Sequence, residues 1–294
     1  MNTSRKKWLI LGATGQLGRE WTLALQHDGQ DVTAFSRLEV DLARPNQVER
    51  AVGEVRPDVI VNCAAYTKVD QAELETEKAE AVNIHAVANL AKVAAAKNIL
   101  LVHYSTDYVF PGLVEHRRIH PDGYPETFPP DPVNAYGRTK WLGEQQIRVT
   151  GGRHLIIRIS WLCGHHGSNF ASTMLRLAQE RDSLKVVNDQ SGCPTFAVPA
   201  VFNTRVLVEK EVTGTIHLSS QGETTWYDFA REIFRLNKVT VRLEAIPTSA
   251  YPTLAARPKW SRLDIRQLAG VPGTRILPWQ EELRLFLQEK PYSQ

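Results

Sequence analysis

The chain has 294 residues, 43% hydrophobic and 23% charged, with a formal net charge of +3; it can bury a substantial core without disulfides or a metal and shows no solenoid repeat or low-complexity tract. Lysines and arginines are dispersed, with no aromatic-interleaved basic stripe, which argues against nucleic acid as a partner. Cys63, Cys163 and Cys193 stand far apart without a CxxC pair, and no stretch approaches the roughly 20 apolar residues of a membrane span, so a soluble, cytoplasmic protein with reduced thiols is expected.

Met1–Lys7 has the charge of a signal-peptide start, but the apolar run after it, Trp8–Leu11, ends at Gly12 and reads as a strand. Further strands are expected at Val32–Phe35, Val59–Asn62, Leu100–Tyr104 and Leu155–Ile159. Between them lie helical patterns at Gln16–His27, Pro45–Val55, Glu73–Lys97 and Ala135–Val149, with Pro45 in a first turn where its missing N–H costs nothing. This alternation is the signature of βαβ units, and right-handed crossovers make it an α/β fold with a Rossmann-type, doubly wound parallel sheet. The segment Phe110–Pro132 holds six of the 16 prolines and reads as a long surface loop. After about Ile159 the alternation becomes irregular, as expected of a smaller C-terminal substrate-binding lobe on the sheet's carboxyl edge.

Gly12-Ala-Thr-Gly15-Gln-Leu-Gly18 follows the first strand and opens the next helix. Glycines there permit a tight turn, close approach to a pyrophosphate and close helix–strand packing, while the helix start supplies N–H donors. Gly12, Thr14, Gly15, Gln16 and Leu17 are therefore expected at a dinucleotide. The GxxGxxG spacing resembles that of the short-chain dehydrogenase superfamily. The second strand ends Phe35-Ser-Arg37 without the acidic residue that favours NAD, and a guanidinium suits a 2′-phosphate. NADPH is the expected carrier on that ground, with NADH the other admissible one, since Arg37 also fits a solvated loop. Asp41 and Leu42 would lie near the adenine, and Ala64, Ala65 and Tyr66 end the third strand where a backbone can approach the cofactor. Residues 1–160 are thus expected to form mainly the NAD(P)-binding domain, and 161–294 mainly the substrate lobe.

Tyr136 and Lys140 are four apart at a helix start, which puts phenol and ammonium on one face. A phenol titrates near 10 on its own, and a neighbouring cation should bring it toward neutrality for proton transfer. YxxxK alone occurs by chance in many helices. Here it follows both the glycine turn and a Ser/Thr pair at the end of the fourth strand, where Thr106, with Ser105 as competitor, would stabilise charge developing on a carbonyl oxygen.

His103-Tyr-Ser-Thr-Asp-Tyr-Val-Phe-Pro-Gly112 and Asn134-Ala-Tyr-Gly-Arg-Thr-Lys140 closely resemble signatures of the dTDP-4-dehydrorhamnose reductase family, extended short-chain dehydrogenases. Asn188-Asp-Gln190, Gly192, Pro194-Thr195, Thr248–Thr253, Arg257-Pro258 and Ser261–Leu263 are similar as well, so the resemblance spans almost the whole chain. It implies reduction of the 4-keto group of dTDP-4-dehydro-6-deoxy-L-mannose to dTDP-L-rhamnose, a step toward O-antigen or cell-wall polysaccharide. It also implies that Thr106, Asp107 and Tyr108 contact the sugar, that Tyr136 donates the proton, that Lys140 also binds the nicotinamide ribose, and that Trp161, otherwise a core aromatic, lines the sugar pocket. Arg257 would face a phosphate. A homodimer is left open. Some members hold magnesium through interfacial glutamates. Glu20 fits one such position, but Phe196-Ala-Val-Pro-Ala-Val201 offers no second carboxylate, so no metal is expected. His116 and His120 lie four apart in a proline-rich setting that argues against a helix, and no zinc site is expected. The alternatives are a non-catalytic NADP-binding subunit, resembling the regulatory subunit of methionine adenosyltransferase, and another nucleotide-sugar reductase, epimerase or dehydratase.

Overall fold

The computed structural model describes residues 6–288, so the first five residues of the basic N-terminal stretch lie outside it. Successive side chains of a strand point to opposite faces, and Lys7–Leu11 (β1) uses both: Trp8 and Ile10 enter one buried core, Leu9 and Leu11 the other. Gln16–His27 (α1) lies on the first face. Asp31–Phe35 (β2), Pro45–Val55 (α2) and Val59–Asn62 (β3) follow, with Pro45 in the first turn of its helix.

The helix expected over Glu73–Lys97 is broken into Val69–Leu74 (α3), Thr76–Glu80 (α4), a π turn at Ala81–His85 and Ala86–Ala96 (α5). The physical reason lies in its side chains. Glu75 takes φ −113°, ψ 43° and accepts the Tyr66 hydroxyl at 2.6 Å. Asn83, buried in the π turn, reaches back to Tyr66, accepting its N–H at 2.9 Å and donating to its carbonyl at 3.1 Å. Such π turns occur mostly where a helix serves a site.

Leu100–Thr106 (β4) is buried along its length. The stretch after it is not the open surface loop expected. It contains a helical turn at His116–Ile119 (α6), and Phe110 and Tyr124, both 0% exposed, stack at 4.6 Å with Trp260 against them. Burial of these rings fastens the prolines to the protein. Ala135–Thr150 (α7) and His154–Ile159 (β5) complete the first half.

The second half runs Leu162–Cys163 (β6), Phe170–Glu180 (α8), Ser183–Val187 (β7), Ser191–Gly192 (β8), Thr195–Phe196 (β9), Ala197–Glu209 (α9), Gly214–Leu218 (β10), Thr224–Thr225 (β11), Trp226–Asn237 (α10), Arg242–Ile246 (β12), Arg266–Ala269 (α11) and Trp279–Gln288 (α12). The chain crosses the boundary expected near residue 160, because α9 packs beside α1 and β10 joins the main sheet. That sheet has six strands in the order β10-β5-β4-β3-β1-β2, all parallel. The order in which strands are added reverses between β1 and β3, the position where such sheets open a crevice at their carboxyl ends. Residues of α8, α10, α12 and β7 build a separate aromatic-rich core around Phe229 and Trp279. Among the described residues no helix is long and apolar enough to cross a membrane.

Under α7 lies a buried ion pair. Glu144 accepts Arg158 Nε at 2.9 Å and Nη2 at 2.7 Å, with side chains 0% and 1% exposed, and also takes the Ser105 hydroxyl at 2.6 Å. Removing one member of a buried pair strands the other charge. Glu144→Gln should cost about 3–5 kcal/mol of stability in denaturant titration; a loss under about 1 kcal/mol would put the pair in the class of surface contacts.

Candidate active site

Gly12 has φ +79°, and a Cβ on it would stand 2.7 Å from the Ala64 nitrogen; one on Gly18 would reach within 2.1 Å of the Gly12 carbonyl. No other residue fits either place. The turn is fixed by Gly12 and Ala13 N–H groups donating to the Phe35 carbonyl at 3.1 and 3.0 Å. The helix it opens has no side-chain cap and no acid in its first turn, so its N–H groups and positive dipole end remain available to an anion.

Beside this turn is a cleft of about 240 Å³. Gly12, Thr14, Gly15, Arg37, Asp41, Leu42, Ala64, Ala65 and Tyr66 of the expected set line it, and Gln16, Leu17 and Lys140 do not; Cys63, Val40, Ala43 and Val82 line it too and were not foreseen. A groove of about 820 Å³ at the opposite, amino edge is larger. It contains neither the glycine turn nor the Tyr–Lys pair, so size does not locate the chemistry.

Gln16 turns toward the lobe, where its Oε1 accepts the Gly164 N–H at 2.7 Å, and the Leu17 side chain is buried in the core; only their backbone N–H groups can serve a phosphate. Arg37 is exposed, with Nε 3.8 Å from Asp41. The second strand also has an acid that its own sequence did not reveal: Glu39 folds back and accepts the Ser36 N–H at 2.8 Å and hydroxyl at 2.7 Å.

The chemistry-bearing groups meet where β4 ends. Asn134 caps α7 by accepting the Gly137 N–H at 2.8 Å, which sets Tyr136 in the first turn, edge-on to Tyr108 at 5.8 Å and beside Thr106. Thr106 donates to Asp107 at 3.1 Å, while Ser105 donates to the buried Glu144 at 2.6 Å. One turn along α7, Lys140 Nζ donates to the Tyr104 carbonyl at 2.7 Å and meets His103 Nε2 at 3.2 Å.

The orientation of Asn62 bears on that last contact. Its Oδ1 accepts the Ala64 N–H at 3.1 Å, so its amide nitrogen faces His103 Nδ1 at 3.1 Å as a donor. Asn62 and Lys140 thus flank the two ring nitrogens of His103. Burial draws Lys140 down to about 8, with Glu144 opposing, and burial and Lys140 together hold His103 well below its ordinary value.

The expected lowering of the phenol by Lys140 is therefore corrected. Burial pushes Tyr136 up to about 12, with Thr106 opposing and Asp107 adding to the rise. Such a phenol keeps its proton. Burial likewise raises Asp107 to about 7, opposed by hydrogen bonds from Ser261 and Thr106. Arg257 is not waiting free for a phosphate: it donates to Asp70 at 2.7 Å. Against the cost of burial, the Ala255 N–H and this guanidinium hold Asp70 below the usual carboxylate range. Trp161 stacks on Trp226 at the end of β5.

For a metal the donor set does not fit. Glu20 is fully buried, and no group of three His, Cys, Asp or Glu among the described residues could hold an ion. His116 does start a helical turn, contrary to the reading of its prolines, and its Nδ1 lies 2.9 Å from the Tyr124 hydroxyl.

Residues 6–291 match the family described as the RmlD substrate binding domain. The chain is 43% identical over 299 residues to dTDP-4-dehydrorhamnose reductase of Salmonella typhimurium, covering 96% of this chain and 97% of that protein. It is 40% identical to the enzyme of the same name from Escherichia coli K12, with the same coverage. A dTDP-4-dehydrorhamnose reductase from Bacillus anthracis, crystallised in complex with NADP, superposes with a TM-score of 0.91 at 36% identity, covering 97% of this chain and 99% of that one.

Because folding raises Asp107 from 3.8 to about 7, the native state binds the extra proton within that window and loses stability as pH rises through it. Asp107→Asn should therefore raise Tm relative to wild type more at about pH 8 than at about pH 5, while lowering kcat/KM. An equal gap at both pH values would show that the carboxyl is not raised.

Proposed function

The chain belongs to the dTDP-4-dehydrorhamnose reductase family, and from that premise we propose that it reduces the 4-keto group of dTDP-4-dehydro-6-deoxy-L-mannose to dTDP-L-rhamnose, using NADPH or NADH. The observation that carries this reading is the Tyr136 phenol, set in the first turn of α7 by the Asn134 cap and pushed up to about 12 by burial, on the same sheet edge as an uncapped glycine-turn helix. When bound, NADPH supplies the hydride.

The chain's own residues do the rest. Backbone N–H groups of Gln16 and Leu17 at the helix start hold the pyrophosphate, and Ala64, Ala65 and Tyr66 give the nicotinamide half a close wall. Thr106 donates to the substrate's carbonyl oxygen and Tyr136 passes its proton to the same atom as charge develops there. Lys140 takes the nicotinamide ribose and provides the adjacent proton-exchanging group. Asp107, Tyr108 and Trp161 bound the sugar, and Arg257, released from Asp70, meets a phosphate with its two-pronged fork. Arg37 approaches a 2′-phosphate; Glu39, which already occupies the Ser36 donors, competes with that phosphate and leaves NADH acceptable. The lobe after residue 160, less α9 and β10, holds the sugar nucleotide. Three free cysteines support work in the reducing cytoplasm.

NADPH consumption with the 4-keto sugar nucleotide tests the reading. One carrier should be oxidised per product; an epimerase would recycle its carrier, and a binding subunit would never turn over. Tyr136→Phe should cut kcat by roughly 10²–10⁴-fold with cofactor affinity unchanged, and near-wild-type turnover would remove the phenol from the mechanism. Arg37→Ala should raise KM for NADPH more than for NADH. Equal rises would end the phosphate assignment.

A further inference from the structure

Trp161 has φ +45°, a left-handed conformation that strains a bulky side chain and persists only where its surroundings fix it. It stands two residues beyond Ile159, which pairs with Thr106 across the sheet, so the strain lies next to the substrate edge. The indole is held from two sides. Trp226, the first residue of α10, stacks on it with ring centroids 3.5 Å apart and planes 11° off parallel. Phe170 packs against Trp226 at 4.6 Å, and the hydroxyl of the capping Thr225 accepts the Asp228 N–H at 3.1 Å. From another side comes Gly192, where a Cβ would stand 3.0 Å from the Trp161 ring and 2.7 Å from the Ser261 hydroxyl. Ser261 in turn lies beside Asp107. A continuous row thus joins the lobe helix to the floor of the site, from Trp226 through Trp161, Gly192 and Ser261 to Asp107.

We infer that Trp226 is a positioning residue for the sugar nucleotide: its stack holds Trp161 in the strained conformation that presents the indole to the substrate, and so it sets affinity for the sugar and not for the dinucleotide. This rests on the reading that Trp161 bounds the sugar. The dinucleotide cleft lies on the far side of Thr106, among residues of β1, β2 and β3 and their following turns, and the row does not enter it. An aromatic pair of this kind is worth up to roughly tenfold in an equilibrium constant, which is the size of effect to seek.

The experiment compares Trp226→Leu, which removes the stack, with Trp226→Phe, which keeps an aromatic face, by steady-state kinetics in both substrates and by circular dichroism in the region where two stacked indoles give a paired band. Trp226→Leu should lose that band and raise KM for the keto sugar nucleotide roughly tenfold, with KM for NADPH and kcat within about twofold. Trp226→Phe should also lose the band but keep the sugar KM near wild type. An unchanged sugar KM in Trp226→Leu, or equal rises for sugar and NADPH, overturns the inference. If Trp226→Leu does not fold, Gly192→Ala displaces the same indole from its other contact: a raised sugar KM supports the inference, and an unchanged one overturns it. Should wild type fail to turn over the keto sugar, the reductase reading falls on its own. Quenching of tryptophan fluorescence by dTDP-L-rhamnose then decides: weaker binding in Trp226→Leu supports the positioning role, and equal binding overturns it.

Discussion

Glu144 carries its charge at 0% exposure, and burial of a charge is tolerable only when hydrogen bonds replace the water that was lost. The replacements come from each element that the site requires. Ser105, just before Thr106, binds it from β4; Arg158 binds it from β5; Arg148 binds it from one turn farther along α7 at 2.9 Å. Arg158 also lies over the Phe110 ring at 5.1 Å and meets His217 of β10 at 3.3 Å. One carboxylate therefore fixes the helix bearing Tyr136 and Lys140 against two strand ends, the closing strand and the proline-rich segment.

Above that anchor, burial shifts the titratable groups toward their uncharged forms. Asp107, Tyr136, Lys140 and His103 all move in that direction, because desolvation penalises whichever form is charged. The edge of β4 is consequently rich in held protons and poor in fixed charge, a setting in which a polarised carbonyl gains much from a few well-placed donors. Proteins accept lost stability at such places in return for activity.

The fold was legible where a residue type has one physical use. Gly12 and Gly18 mark the turn because any side chain would strike backbone, and Tyr136 and Lys140 mark the helix face because their spacing matches its period. The broken helix was not, since the apolar pattern from Glu73 to Lys97 is continuous and the break is made by the side chains of Glu75 and Asn83 reaching for Tyr66. Pairings across long distances were hidden as well. Arg257 with Asp70, and Lys140 with His103, depend on segments that only the folded sheet brings together. Glu39 escaped notice for a smaller reason: it lies beyond the strand end and returns through a turn. The entry of residues 214–218 into the main sheet could not be read either, because β10 has the same apolar pattern as a lobe strand.

The placement of β10 bears on how the protein is made. Translation delivers β1 to β5 first, and domains generally begin to fold as they emerge. Until residues 214–218 leave the ribosome, β5 stands as an open parallel edge, and an unpaired row of N–H and C=O groups is a template for any extended segment nearby. The lobe sequence between β5 and β10 is therefore synthesised while that edge is exposed, and cellular yield depends on the nascent chain holding it uncovered without pairing wrongly.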